Sequence, residues 1–190
     1  AEEAAALAAA LIFVHDFTGT LWGFRELARR AARPCLGFRC TVEAARGCAD
    51  PHELALRYAG ELRAALPAGC PARLVGYSFG CQVAHGMAQA LEASGVVTRL
   101  AMLDWTTRCD LAEQRRQRVE FTIPQLRLGA ASDAATVERV FEGSEHVARA
   151  FARLGAMLGE EGCAVAEALL SLELRQEVGR ERVPPCRGPM

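Results

Sequence analysis

Residues 74–80 read Leu-Val-Gly-Tyr-Ser-Phe-Gly, and an amphipathic run over residues 82–91 follows them directly. The apolar pair before Gly76 is typical of a buried strand, and the amphipathic run after Gly80 is typical of a helix. Ser78 is therefore predicted at a strand-to-helix turn. A serine on such a turn adopts a strained backbone conformation that holds its hydroxyl clear of the main chain. Gly76 and Gly80 flank it because side chains there would collide across the turn. The pattern therefore predicts a nucleophile elbow with Ser78 as the attacking residue.

Two backbone N–H groups are expected to face the negative charge that develops during attack by Ser78. Phe79 begins the predicted helix, and the N–H groups at a helix start favour negative charge. The second donor is expected in residues 15–20, His-Asp-Phe-Thr-Gly-Thr, which follow an apolar strand-like run. We assign this donor to the N–H of Phe17. His15 is interpreted as a structural histidine that supports the loop through hydrogen bonds rather than as a catalytic group.

A carboxylate ends the fourth strand-like run of the chain. Residues 99–104 read Arg-Leu-Ala-Met-Leu-Asp, so Asp104 falls at the carboxyl end of a strand. Parallel sheets keep their active sites at that edge, and Asp104 is therefore predicted to be the acid that serves Ser78. The alternative for Asp104 is an N-cap of the helix that follows.

Short strand-like runs alternate with helical stretches through the first half of the chain. This order predicts a parallel sheet with right-handed crossovers and helices on both faces, over residues 1–107. Residues 108–178 are predicted to be helical, with 119–123 as the nearest candidate for a fifth strand, and 179–190 to be a disordered tail. The predicted strands cover 11–14, 35–39, 72–77 and 99–104; the predicted helices cover 21–32, 51–66 with Asp50 as N-cap, 79–93, 108–118, 132–157 and 161–178.

Composition excludes several classes of function. A net charge of −1 gives no general attraction for nucleic acid or an anionic membrane. No apolar run is long enough to span a membrane, and the first residues lack the basic region of a signal peptide. None of the eight cysteines has C-x2-C spacing, so no metal site, redox motif or cofactor is predicted. We expect a cytoplasmic protein with reduced cysteines.

Several segments together resemble the thioesterase domain of animal-type fatty acid synthases and related type I polyketide synthases, which belongs to the α/β-hydrolase superfamily. The resemblance runs from Leu11 to Asp104. It implies an α/β-hydrolase-like parallel sheet with flanking helices, followed by helices that form a lid over an apolar acyl channel. The segments that carry it are the strand and loop at 11–19, Gly37-Phe38-Arg39-Cys40-Thr41, Gly76-Tyr77-Ser78-Phe79-Gly80 with Val83-Ala84, and Leu103-Asp104.

The resemblance also implies a reaction. Ser78 would attack the thioester that joins an acyl chain to the phosphopantetheine arm of an acyl carrier protein, and water would then free the acid from the acyl-enzyme. The chain would need no cofactor of its own. The expected partners are the acyl carrier protein and the rest of a multidomain synthase.

The family's catalytic histidine is the feature that this sequence lacks. In the family it follows the lid, after further core strands, whereas the histidines here are His15, His52, His85 and His146. Only His146 keeps the chain order of serine, acid and histidine, and it lies within a predicted helix. The C-terminal part of the family's domain is therefore expected to be missing from this chain.

Three functions stay open on these grounds. The first is a thioesterase that releases a fatty acyl or polyketide chain. The second is a catalytically incomplete thioesterase-like module that binds acyl chains or a carrier protein, which agrees with the missing histidine. The third is another serine α/β-hydrolase, an esterase or acyltransferase, against which Tyr77 and the run at 37–41 weigh.

Overall fold

Four parallel strands form the central sheet of the protein, for which a computed structural model describes residues 2–104, 127 and 145–178. The strands lie in the order β2-β1-β3-β4, and helices connect them along the chain. The bounds are α1 Glu2–Ala9, β1 Leu11–Val14, a 3-10 helix Trp22–Phe24, α2 Arg25–Arg30, β2 Cys35–Phe38, α3 Val42–Arg46, α4 Pro51–Ala65, β3 Ala72–Tyr77, α5 Phe79–Ala93, β4 Thr98–Leu103 and α6 Glu145–Val178.

The register of the sheet brings the carboxyl ends of three strands to one edge. Val14 of β1 pairs with Gly76 of β3, and Tyr77 of β3 pairs with Leu103 of β4. Because all pairs are parallel, the segments that follow β1, β3 and β4 emerge side by side. The predicted parallel α/β sheet is confirmed, and its form is that of an α/β-hydrolase-like fold.

Alternating side chains build a core on each face of the sheet. Ile12 and Leu74 join the main core, which α4 and α5 cover. Phe13 and Val75 point to the opposite face, where the Phe13 ring stacks on Phe24 of the 3-10 helix with centroids 4.5 Å apart. Burial of one such large apolar side chain contributes about 1.5–3 kcal/mol. Both faces are therefore covered, as the alternation of strands and helices predicts.

Side-chain caps fix the starts of two helices on the main-core face. The Asp50 carboxylate accepts the Glu53 N–H at 2.9 Å and Pro51 is the first residue of α4, which confirms the predicted cap. Thr41 caps the short helix α3 in the same way, through the Ala44 N–H at 3.2 Å. Helices α1 and α3 are absent from the sequence-based prediction, which assigned no helix to either segment.

The predicted helix over residues 21–32 differs from the structure. It is divided into a 3-10 turn and the shorter helix α2. Helical spacing places Leu27 on one face with Leu21, Phe24 and Ala28, but Leu27 is 40% exposed. Leu21 and Ala28 do pack, partly buried, beside Phe24 against the sheet, so the predicted face fails only at Leu27.

Helix α6 covers part of the main core. It packs against α3 and α4, and its buried Val165, Leu169 and Leu172 belong to the main core. Gly159, with φ +67°, interrupts the helical geometry, between the two helices predicted at 132–157 and 161–178. The predicted helix at 108–118, the strand candidate at 119–123 and the tail at 179–190 lie outside the described residues. Within the described part of the chain, no helix has the length and apolar character needed to cross a membrane.

Candidate active site

Ser78 occupies the turn between β3 and α5 in a conformation that few residues adopt. Its φ is +50° and its ψ is −122°, outside the regions that L-residues normally populate. Strain of this kind costs about 1–3 kcal/mol and persists only where the surrounding structure enforces it. The predicted strand, strained turn and helix are therefore all present around Ser78.

The two glycines of the motif allow close approach to different neighbours. A Cβ on Gly76 would lie 2.6 Å from the carbonyl oxygen of Gly80, which is the expected collision across the turn. A Cβ on Gly80 would instead lie 2.3 Å from the carbonyl oxygen of His15 and 2.4 Å from that of Val14. Only glycine fits either position. The elbow therefore packs directly on the end of β1.

Backbone and thiol hydrogen bonds tie the elbow to the end of β4. The Ser78 N–H donates to the carbonyl oxygen of Leu103 at 3.0 Å, and the Cys81 thiol donates to the same oxygen at 3.3 Å. Burial, together with the negative charge of Asp104, raises the pKa of the Cys81 thiol to about 11, although the hydrogen bond to Leu103 opposes the rise. Asp104, the next residue after β4, is exposed and has φ +55°. The predicted acid thus lies within electrostatic reach of the elbow, while the helix it would cap lies outside the described residues.

The loop after β1 is held by its own side chains. The Asp16 carboxylate accepts the Thr18 N–H at 2.8 Å and the Thr18 hydroxyl at 2.5 Å. Since that hydroxyl has donated its proton, it accepts from the Thr20 hydroxyl at 2.8 Å. Burial raises the pKa of Asp16, against the effect of its bonds to Thr18. Gly19, with φ +71°, packs so closely on Val165 of α6 that a Cβ would lie 2.4 Å from it.

The two residues predicted to supply oxyanion donors lie at the start of α5 and in the loop after β1. Phe79 is the first residue of α5, where N–H groups have no acceptor within the helix. Its ring is buried and stacks on the His15 imidazole with centroids 6.1 Å apart. Phe17 lies in the loop after β1, and its partly buried ring packs against the buried Cys163 and Ala166 of α6.

His15 is fully buried and has a hydrogen-bonding partner at each ring nitrogen. Its Nδ1 lies 2.7 Å from the carbonyl oxygen of Asp16, and its Nε2 lies 3.1 Å from the hydroxyl of Tyr58. Burial lowers the pKa of His15 to about 4, so the ring is neutral at neutral pH. These contacts agree with the interpretation of His15 as a structural residue. Sequence patterns gave no indication of Tyr58, which lies 43 residues further along the chain.

The other histidines give no base at the elbow among the described side chains. His52 is exposed near the start of α4, and His85 is half-buried on α5, where burial lowers its pKa. His146 lies in α6, but its side chain is outside the described residues. No described histidine side chain is hydrogen-bonded to Ser78. The described residues also contain no cluster of side chains suited to a metal ion.

A parallel α/β sheet that presents a serine on a strained strand-to-helix turn defines this protein as α/β-hydrolase-like. The family model described as the thioesterase domain matches residues 9–177, from the last residue of α1 almost to the end of α6. The match covers most of the chain, which therefore belongs to the thioesterase domain family. The general activity of this family is the hydrolysis of thioester bonds.

Proposed function

We propose that Ser78 attacks the carbonyl carbon of an acyl thioester carried on the phosphopantetheine arm of an acyl carrier protein. An ester bond forms at the Ser78 Oγ as the C–S bond breaks, and the departing sulfur takes up the hydroxyl proton. Water then cleaves the ester, which frees the acid and restores the hydroxyl. The observation that carries this proposal is the backbone conformation of Ser78, with φ +50° and ψ −122°, because that strain has a use only if the hydroxyl must stand clear of the chain.

Asp104 and two backbone N–H groups complete the proposed machinery. The shared hydrogen bonds to Leu103 support Asp104 as the acid, because they hold the end of β4 against the elbow. The start of α5 supports the Phe79 N–H as one oxyanion donor. The Phe17 N–H is proposed as the second donor, supported by the close packing of the β1 end on Gly80.

The proposed setting is a multidomain fatty acid or polyketide synthase in the cytoplasm. Residues 11–104 resemble the thioesterase domains of such synthases. This resemblance supports delivery of the acyl substrate on an acyl carrier protein. The cysteines at described positions are free thiols, four of them buried, which supports a reducing compartment.

A catalytically incomplete module is the second candidate. It is favoured by His15, whose two ring nitrogens are already engaged by Asp16 and Tyr58, and by the lack of any other histidine at Ser78 among the described side chains. Loss of a triad member lowers turnover by several powers of ten and leaves only the contribution of the oxyanion hole and binding. Such a module would bind an acyl chain or a carrier protein without releasing the acid efficiently.

Turnover of a long-chain acyl group on a carrier protein, compared with the same acyl group on free pantetheine, tests the first candidate. We expect slow hydrolysis with preference for the carrier-bound thioester, lost in Ser78→Ala. Ser94→Ala is the matched control, because that hydroxyl lies at the other end of α5 and donates to the Ala90 carbonyl. Parental activity in Ser78→Ala would refute the assignment of the nucleophile.

Labelling with a fluorophosphonate probe separates the two candidates. We expect weak labelling at Ser78, because no described histidine side chain is hydrogen-bonded to its hydroxyl. Fast stoichiometric labelling that is lost in His146→Ala would show that the base is present and that our assignment of a missing histidine is wrong. Tight binding of a non-hydrolysable acyl-pantetheine thioether, with neither labelling nor turnover, would establish the second candidate.

A further inference from the structure

The buried imidazole of His15 connects the loop after β1 to helix α4. A carbonyl oxygen can only accept, so the Nδ1 at 2.7 Å from the Asp16 carbonyl carries the ring proton, and Nε2 accepts from the Tyr58 hydroxyl at 3.1 Å. The Arg39 carbonyl, 3.4 Å from the same hydroxyl, is the more distant acceptor. Tyr58 is fixed in turn by its ring, which stacks on Phe38 with centroids 4.6 Å apart. The Asp16 carbonyl therefore selects the Nδ1–H tautomer of His15, and the Tyr58 hydroxyl completes the arrangement from the α4 side by donating to Nε2.

The carbonyl that His15 contacts belongs to the same peptide group as the N–H of Phe17. The chain has no cis peptide bond among its described residues, so this group is planar and trans, and its C=O and N–H point in opposite directions. Fixing the direction of the carbonyl thus fixes that of the N–H. The Gly19 N–H also donates to the Asp16 carbonyl, at 3.0 Å. Two donors on one carbonyl polarise the peptide and strengthen its N–H as a donor.

We infer that His15 is a positioning residue for acyl transfer: its Nδ1–H, on a ring that the Tyr58 hydroxyl holds in place, orients the Asp16–Phe17 peptide and with it the second oxyanion donor. This inference rests on the proposed function, in which the Phe17 N–H faces the developing oxyanion. The ring acts as a neutral donor, and it is unsuited to act as the general base because Nε2 already accepts from Tyr58. His15 therefore acts on the reaction only through the backbone of the loop.

Two substitutions at His15 separate positioning from simple packing. In asparagine the amide nitrogen is as many bonds from Cβ as Nδ1 is in histidine, so His15→Asn keeps the donor to the Asp16 carbonyl. In glutamine the amide nitrogen corresponds to Nε2, so His15→Gln keeps a group toward Tyr58 and loses that donor. Tyr58→Phe removes only the hydroxyl that donates to Nε2 and holds the ring in place. His52→Asn, at an exposed position, is the control for loss of a histidine.

The readouts are the residual dipolar coupling of the Phe17 N–H, which reports the direction of that bond, and kcat and KM for thioester hydrolysis. His15→Gln is expected to change the coupling and to lower kcat about 100-fold with KM unchanged, since small displacements of catalytic groups have effects of this size. We expect His15→Asn to keep the parental coupling and most of kcat. Tyr58→Phe should lower kcat about 10-fold, with a smaller change in the coupling.

The His15 and Tyr58 variants give different results for a positioning role and a packing role. If His15→Gln keeps the parental coupling and kcat, the inference is wrong. Equal losses of kcat in the asparagine and glutamine variants would assign His15 a packing role only and would also overturn it. Should the glutamine variant fail to fold, Tyr58→Phe decides, because parental values of both readouts in that variant contradict the inference. Turnover that survives in Ser78→Ala would refute the proposed function, while the Phe17 coupling would still test the role of His15 in orienting the peptide.

Discussion

Replacing Gly80 by alanine tests the contact between the elbow and the end of β1. An added Cβ would lie 2.3 Å from the His15 carbonyl oxygen and 2.4 Å from that of Val14. Real Cβ atoms essentially never come within 3.0 Å of a heavy atom outside their own and the adjacent residues. The start of α5 and the end of β1 must therefore separate by at least 0.7 Å, from 3.0 − 2.3. Both neighbours are backbone atoms, so no side-chain rotation relieves the clash. Overpacking of this kind lowers the free energy of unfolding by about 1–3 kcal/mol.

Urea denaturation of the parent and two alanine variants measures this effect. Gly60 lies inside α4 with no other atom within 4 Å of an added Cβ, so Gly60→Ala is expected to raise the free energy of unfolding by about 0.5–1 kcal/mol. The same substitution is thus expected to lower the free energy of unfolding at Gly80 and to raise it at Gly60. Fluorophosphonate labelling of Ser78 should fall in Gly80→Ala and stay at the parental level in Gly60→Ala. A Gly80→Ala variant as stable as the parent would refute the packing of the elbow on β1.

Three further predictions concern strain, capping and pH. Ser78→Gly should raise the free energy of unfolding by about 1 kcal/mol in a urea titration, because glycine relieves the strain at φ +50°; a decrease would contradict the strain. Asp50→Ala should lower it by about 1 kcal/mol through loss of the cap on the Glu53 N–H, and thermal unfolding that matches the parent's would count against that cap. The pKa of His15 falls from 6.5 to about 4 on folding, so the unfolded chain binds more protons between these values. The stability difference between the parent and His15→Asn, each measured by urea titration, should therefore shift by about 2 kcal/mol against the parent from pH 7 to pH 5, since this difference removes the opposite contribution of Asp16, whose pKa is raised by burial. An unchanged difference would refute the burial of a neutral His15.

The elbow and the parallel sheet could be predicted because their signals are local, whereas the strand order β2-β1-β3-β4 was not predicted. The apolar strand, the glycine-flanked serine and the amphipathic helix all lie within residues 72–93, and β3 and α5 have the predicted bounds. The parallel sheet follows from the alternation of strands and helices. That alternation also placed Asp104 directly after β4, beside a residue that the elbow contacts.

Long-range contacts account for much of what the sequence did not predict. The partner of His15 is Tyr58, on a helix 43 residues away, and neither residue carries a motif that pairs them. Gly19 packs against Val165 of α6, a contact that no local pattern encodes. Leu27 is exposed although its apolar spacing aligns it with the buried Phe24. Periodicity identifies a face, whereas neighbours in space decide what covers it.

The contacts that hold Ser78 in its strained conformation have a consequence for folding. Its N–H is bonded to β4, and the next turn packs on β1, more than sixty residues earlier in the chain. Pairing of distant parallel strands requires the closure of long loops and is slow compared with helix formation. The elbow is therefore expected to reach its final geometry late, once β1, β3 and β4 have aligned. An unfinished sheet would leave Ser78 in an ordinary turn, so the proposed nucleophile would reach its strained conformation together with the tertiary structure rather than before it.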